Sequence, residues 1–278
     1  MKKDNDMLTN KPMFGQVFQV FVYLLVFLLI QLVSPLIVTT AYTLICGHPA
    51  ESLPLWVRIA GLVLYSLLTI IVFVRLKWFE PSTGYMRSRP WGVLLWCVVA
   101  ALGVIVPSLF LQQLLPSWPE WAQELVDQTE ADMVNIMRHP AGYIVIALLP
   151  PVVEELVFRG TILRTLLTWK PQSPWLMIAV TSLLFALVHV NPAQMPHAFA
   201  VGLLLGWMYR RTGSIVPGVA FHWANNSAAY VMFHVYHNPQ TIEDMVGPGP
   251  RVYMALAFSL CMLLPALYQL SQRMKPVR

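Results

Sequence analysis

Apolar runs about as long as a membrane is thick recur along this chain, and they constrain its fold more than any other feature. A hydrocarbon core of about 30 Å is crossed by a helix of about 20 residues rising 1.5 Å per residue. Runs of roughly that length lie at about 14–45, 55–74, 91–111, 141–167, 174–190, 194–209, 215–236 and 251–270, the sixth being short. The spacing predicts an all-α, polytopic membrane protein of about eight transmembrane helices. Composition agrees, since only 11% of the 278 residues are Asp, Glu, Lys or Arg, less than half of the roughly 25% usual in a soluble domain. Mean hydropathy is +0.62.

Charge orients the runs. With the N terminus on the cytoplasmic side, fifteen of the eighteen Lys and Arg fall on inner segments, and only Arg58, Arg138 and Arg251 fall outside. That is the asymmetry expected of short cytoplasmic loops. Both termini are therefore expected in the cytoplasm. The net charge of +5 reflects topology, and no nucleic acid partner is implied. The first run continues to about Cys46, far beyond the 7–15 apolar residues of a secretory signal, so it reads as a retained helix. Cys46, Cys97 and Cys261 show no CxxC spacing and read as small apolar residues. No repeat or linker divides the chain, which predicts a single transmembrane domain over 1–278.

One outer loop carries its own pattern. Ser117, Pro119 and Glu120 resemble a helix start, and Trp121, Leu125, Met133 and Ile136 follow at near-helical spacing among acids. This predicts an amphipathic surface helix, either a lid or an interfacial spacer.

The fourth run contains two adjacent carboxylates, Glu154 and Glu155, followed by Arg159. A charge near the centre of a membrane helix costs about 2.5–3.5 kcal/mol on insertion scales, and such residues persist where they face a polar cavity and act there. Glu155 and Arg159 are four apart, hence on one helix face and able to pair. Glu154 points about 100° away, which leaves it for chemistry. The plainer alternative is a paired helix end snorkelling to water. Pro150 and Pro151 precede the pair and are expected to kink the helix and release backbone carbonyls. Later runs add Phe185 with His189, and His222 with Asn226, the latter two again on one face. An acid, two imidazoles and a carboxamide are the ingredients for activating water and stabilising an oxyanion.

Glu154-Glu155-x-x-x-Arg159, Phe185-x-x-x-His189 and His222-x-x-x-Asn226, in this order, resemble the three motifs of the CPBP family, the CAAX proteases and bacteriocin-processing enzymes, also called Abi. Gly160 and Arg211-Thr212-Gly213-Ser214 add to the likeness, which covers a catalytic core at about 141–236. The resemblance implies an intramembrane endopeptidase similar to the Ras-converting CAAX protease, often classed as a metalloprotease. It implies Glu154 and His189 as the water-activating pair, His222 and Asn226 as oxyanion stabilisers, and Glu155 and Arg159 as supports. Zinc held by His189, His222 and one Glu stays open beside a metal-free, glutamate-activated water, because there is no HExxH. Membrane lipid and a peptide or membrane-protein substrate are the expected partners, and a bacterial plasma membrane the expected location.

Two other classes remain open from the residues: a proton-coupled transporter using the acids and imidazoles as a relay, and a non-catalytic immunity or scaffold protein of the same fold that binds a peptide. Gly202 and Gly206 form a GxxxG, read as intramolecular helix packing. His197, His234 and His237 fit no motif and read as interface or loop residues. Trp91, Trp175, Tyr209 and Tyr253 read as interfacial anchors.

Overall fold

The computed structural model describes residues 13–47, 53–113, 119–189, 191, 194–236 and 241–275, and among these there is no strand. Helices α1 (Met13–Cys46), α2 (Leu55–Arg75) and α3 (Thr83–Arg87) are followed by α4 (Trp91–Gln113) and α5 (Glu120–Met137). The fourth apolar run is a composite of π1 (Ile144–Leu148), α6 (Leu149–Glu154), π2 (Glu155–Leu163) and α7 (Arg164–Trp169). Then come α8 (Pro174–Leu187), α9 (Met195–Thr212), α10 (Val216–Tyr236), α11 (Ile242–Val246) and α12 (Pro250–Arg273).

Each predicted run is helical, but α1, α2, α4 and α12 are the described helices long and apolar enough to cross a membrane. Helix α8 is apolar yet only 14 residues long, about 21 Å at 1.5 Å per residue. α9 and α10 have the length but carry the polar residues of the candidate site. The outward side chains of α1 and α12 are those of lipid-facing helices, with Phe18, Phe21, Leu36, Met254, Phe258 and Leu264 all exposed. Where hydroxyls occur in these helices they fold back on the preceding turn, as in Ser34 to the Ile30 carbonyl, Thr69 to Tyr65 and Thr181 to Met177. That is how a hydroxyl is satisfied without water.

The described chain forms two compact units, and it passes between them at Glu80, within α6 and within α8. The first holds residues up to Glu80 together with Val153–Thr181. Here α1 packs along α2, with Gly61 so close that a Cβ would lie 2.8 Å from Pro35 Cα. The Phe27 ring meets Tyr65 and, edge-on at 5.6 Å, Phe158 of π2.

The second unit holds Pro81–Val152 and the chain from Ser182 onward. Its core forms where α4, α9, α10 and α12 meet, through Cys97, Ala100, Leu205, Phe221, Ala266 and Leu270. Small residues set the closest approaches. A Cβ on Gly103 would come within 2.7 Å of the Leu263 backbone nitrogen, and Ser259 Oγ donates to the Gly103 carbonyl at 2.9 Å. Gly202 of the GxxxG likewise lies against Ser182, with 2.9 Å left for a Cβ. That is packing within the chain.

Helix α5 is the predicted amphipathic helix. Ser117 lies outside the described residues, and Pro119 occupies the N-cap without a side-chain bond. Ala122, Val126 and Met137 are buried while Met133 and Ile136 are half-buried. The covered stripe thus includes positions adjacent to those the spacing singled out, because an apolar face wider than 100° takes in neighbouring residues.

Replacing Gly103 by Ala should force the α4 and α12 backbones apart and destabilise the protein by about 1–3 kcal/mol. Thermal unfolding in detergent checks this, and an unchanged Tm would show that the contact yields freely.

Candidate active site

The acidic residues follow Pro150 and Pro151, which interrupt helical hydrogen bonding. On either side of α6 the helix widens to i→i+5 spacing, as π segments do, often at functional positions. Thr161 Oγ1 bonds to the Leu156 carbonyl five residues back, at 3.1 Å, in keeping with the wider turn. Every residue of π2 is buried. Within it Arg159 Nη1 donates to Glu155 Oε1 at 2.8 Å, with side chains 1% and 0% exposed. A pair this dry survives only because each charge meets its opposite.

Glu154 closes α6 and is half-buried. The sequence left it outside the reach of Arg159. In the structure Arg159 lies within electrostatic range of Glu154 as well as of Glu155.

In the second unit α8 ends at Leu187 and His189 follows in a turn. His189 Nδ1 lies 2.7 Å from the Phe185 carbonyl oxygen. A carbonyl only accepts, so Nδ1 carries the hydrogen, and in the neutral ring Nε2 keeps its lone pair for a proton or a water. The Phe185 ring, itself buried, meets His189 at 4.7 Å and the buried His222 at 6.0 Å, both edge-on. The two motif histidines therefore share one aromatic wall. Helix α8 ends at Leu187, three residues before the predicted run does; Pro192 lies outside the described residues.

A third histidine joins them. His197 of α9 lies within electrostatic range of both His189 and His222, and its Nδ1 is hydrogen-bonded to Ser108 Oγ of α4. The sequence reading assigned it to an interface or loop, because it stands at no regular spacing from either motif. His234 bonds the Tyr230 carbonyl at 2.9 Å at an exposed position, and His237 lies outside the described residues.

Helix α10 presents a second polar stripe, one turn-face round from His222. Trp223 Nε1 donates to Tyr143 Oη at 3.0 Å, and Tyr143 Oη lies 3.1 Å from Ser227 Oγ. The Tyr143 and Tyr230 rings meet edge-on. Between them Asn226 Nδ2 donates to the Ile146 carbonyl at 3.1 Å. Asn226 and Ser227 lie three and four residues after Trp223, and Tyr230 lies four and three residues after them, so a single face of α10 is laid against 143–146. Of these only Asn226 belonged to a motif.

Glu154, Glu155 and Arg159 thus lie in the first unit, and His189, His222 and Asn226 in the second. Among the described residues no three His, Cys, Asp or Glu side chains are grouped to hold a metal ion.

Residues 138–228 match the family model described as type II CAAX prenyl endopeptidase, Rce1-like. An uncharacterised 24.3 kDa protein of Escherichia coli is 29% identical over 172 residues, 58% of this chain and 73% of its own. The membrane-embedded CAAX protease MroQ of Staphylococcus aureus is 21% identical over 196 residues, 66% of this chain and 76% of its own. No solved structure matches significantly.

Arg159→Met alone should cost about 3–5 kcal/mol, since it strips the guanidinium from a buried carboxylate, whereas Glu155→Gln with Arg159→Met should recover most of that loss. Folded yield and Tm in detergent report both. An equally unstable double variant would mean that the pair is not what the arginine stabilises.

Proposed function

We propose that the chain is an intramembrane endopeptidase of the CAAX protease family, also called CPBP, that hydrolyses a peptide bond of a membrane-associated peptide or protein with a glutamate-activated water. The match over 138–228 carries this reading, because that segment holds Glu154, Glu155, Arg159, His189, His222 and Asn226 in the family's order. The Staphylococcus aureus relative, a membrane-embedded CAAX protease, supports the substrate class.

In the proposed reaction the Glu154 carboxylate takes a proton from a water whose second hydrogen is accepted by His189 Nε2. The Nδ1 bond to the Phe185 carbonyl favours that tautomer. The resulting hydroxide oxygen attacks the scissile carbonyl carbon, and the oxyanion that forms is held by His222 and an Asn226 N–H. Glu154 returns its proton to the leaving nitrogen as the carbon–nitrogen bond breaks, giving a carboxylic acid and an amine. Glu155 pairs with Arg159 and supports the site beside Glu154.

The same reading places the catalytic core at 141–236 within one transmembrane domain of eight spans, both termini cytoplasmic, in a bacterial plasma membrane. Lipid and the anchored substrate are its partners.

Reconstituted in lipid nanodiscs with a library of membrane-anchored peptides, the wild-type chain should release fragments detectable by mass spectrometry. Glu154→Gln and His189→Ala should each lower kcat by about 10²–10⁴, the usual worth of a positioned proton acceptor. Cleavage at the wild-type rate in either variant would remove that residue from the mechanism. Proton-driven uptake without cleavage would instead make the protein a transporter.

A further inference from the structure

In an α-helix the Ile146 carbonyl accepts from residue 150, and in a π-helix from residue 151. Both positions are proline and have no N–H to give. The one tighter alternative, a 3₁₀ bond from residue 149, is also closed, because the Leu149 N–H is spent on the Ile144 carbonyl. Ile146 is therefore a residue whose carbonyl can be served by no donor of its own helix, in a setting where lipid offers none. The Asn226 side chain meets it, Nδ2 to O at 3.1 Å.

We infer that Pro150, Pro151 and the Ile146 carbonyl form one positioning device for Asn226: the two prolines reserve the carbonyl as an acceptor, and that acceptor fixes which way the Asn226 amide faces. An unrestrained carboxamide can present either its nitrogen or its oxygen to a given neighbour. A carbonyl partner admits only the nitrogen, so Oδ1 is turned away and the second Nδ2–H points in a set direction. The neighbouring bonds of Trp223 and Ser227 to Tyr143 hold the same face of α10 against the same stretch. Asn226 is thereby locked before substrate arrives, and no reorganisation is needed when charge develops. The catalytic part of the inference rests on the proposed oxyanion role. The bond between α10 and the proline-interrupted helix stands without it.

The test is a double-mutant cycle in nanodiscs that reads Tm and cleavage together. Pro150→Ala with Pro151→Ala returns helical donors to Ile146 and releases Asn226. Its Tm should not fall, since proline is unfavourable inside a helix. Its kcat should drop about tenfold or more with KM unchanged, a part of the 10²–10³ that one oxyanion donor supplies. A merely structural role would not separate the two readouts in this way. Asn226→Leu should lower Tm in the wild-type background and much less in the double-alanine background. The single variants Pro150→Ala and Pro151→Ala, which restore the α and π donors separately, repeat the test should the double variant fold poorly. Additive Tm changes, or an unchanged kcat in the proline variants, would overturn the device. A wild-type chain that cleaves no peptide would overturn the proposed function instead, and the Tm coupling would still decide the bond.

Discussion

Hydrocarbon neither donates nor accepts a hydrogen bond, and most of this structure follows from that deficiency. Backbone groups in the apolar runs must be satisfied inside the chain, which makes them helices, turns serine and threonine hydroxyls back on the preceding turn, and leaves no room for an unpartnered charge. The buried Glu155–Arg159 pair is the severest case. Removing an ion from water carries a penalty of several kcal/mol, which only a closely opposed partner offsets.

The same constraint explains the irregular helix around the acids. Two consecutive prolines withdraw two donors, the helix widens into π turns on either side, and a side chain from α10 makes up the deficit at Ile146. Helix α10 consequently has two polar faces. His222 looks to Phe185, and the stripe from Trp223 to Tyr230 looks to 143–146. A helix that is polar on two sides fails a test of apolarity, although its length of 21 residues suffices for a membrane.

The histidines show how little chemistry is carried by residue type alone. His189 has a defined tautomer because a backbone carbonyl stands at its Nδ1. Phe185, a motif residue of no evident reactivity, lines both imidazoles. The match of residues 138–228 to the Rce1-like family model covers all of these residues.

Much of the fold was legible in the sequence because it is a matter of local pattern. Apolar runs of sufficient length must be helical in lipid, a Glu and an Arg four apart share a face, and acids alternating with apolar residues mark the surface helix α5. The ordered motifs likewise resemble those of the family whose model matches residues 138–228. What the sequence could not settle was long-range. That Phe185 meets both His189 and His222 depends on how α8 packs on α10, and the entry of His197 into the histidine group depends on α4 and α9. The choice of Ile146 as partner for Asn226 joins residues 80 apart. Local periodicity encodes which face a residue takes on its own helix. Which helix that face meets is decided only when the whole chain packs, because the contact energies concerned belong to pairs of elements and to neither alone.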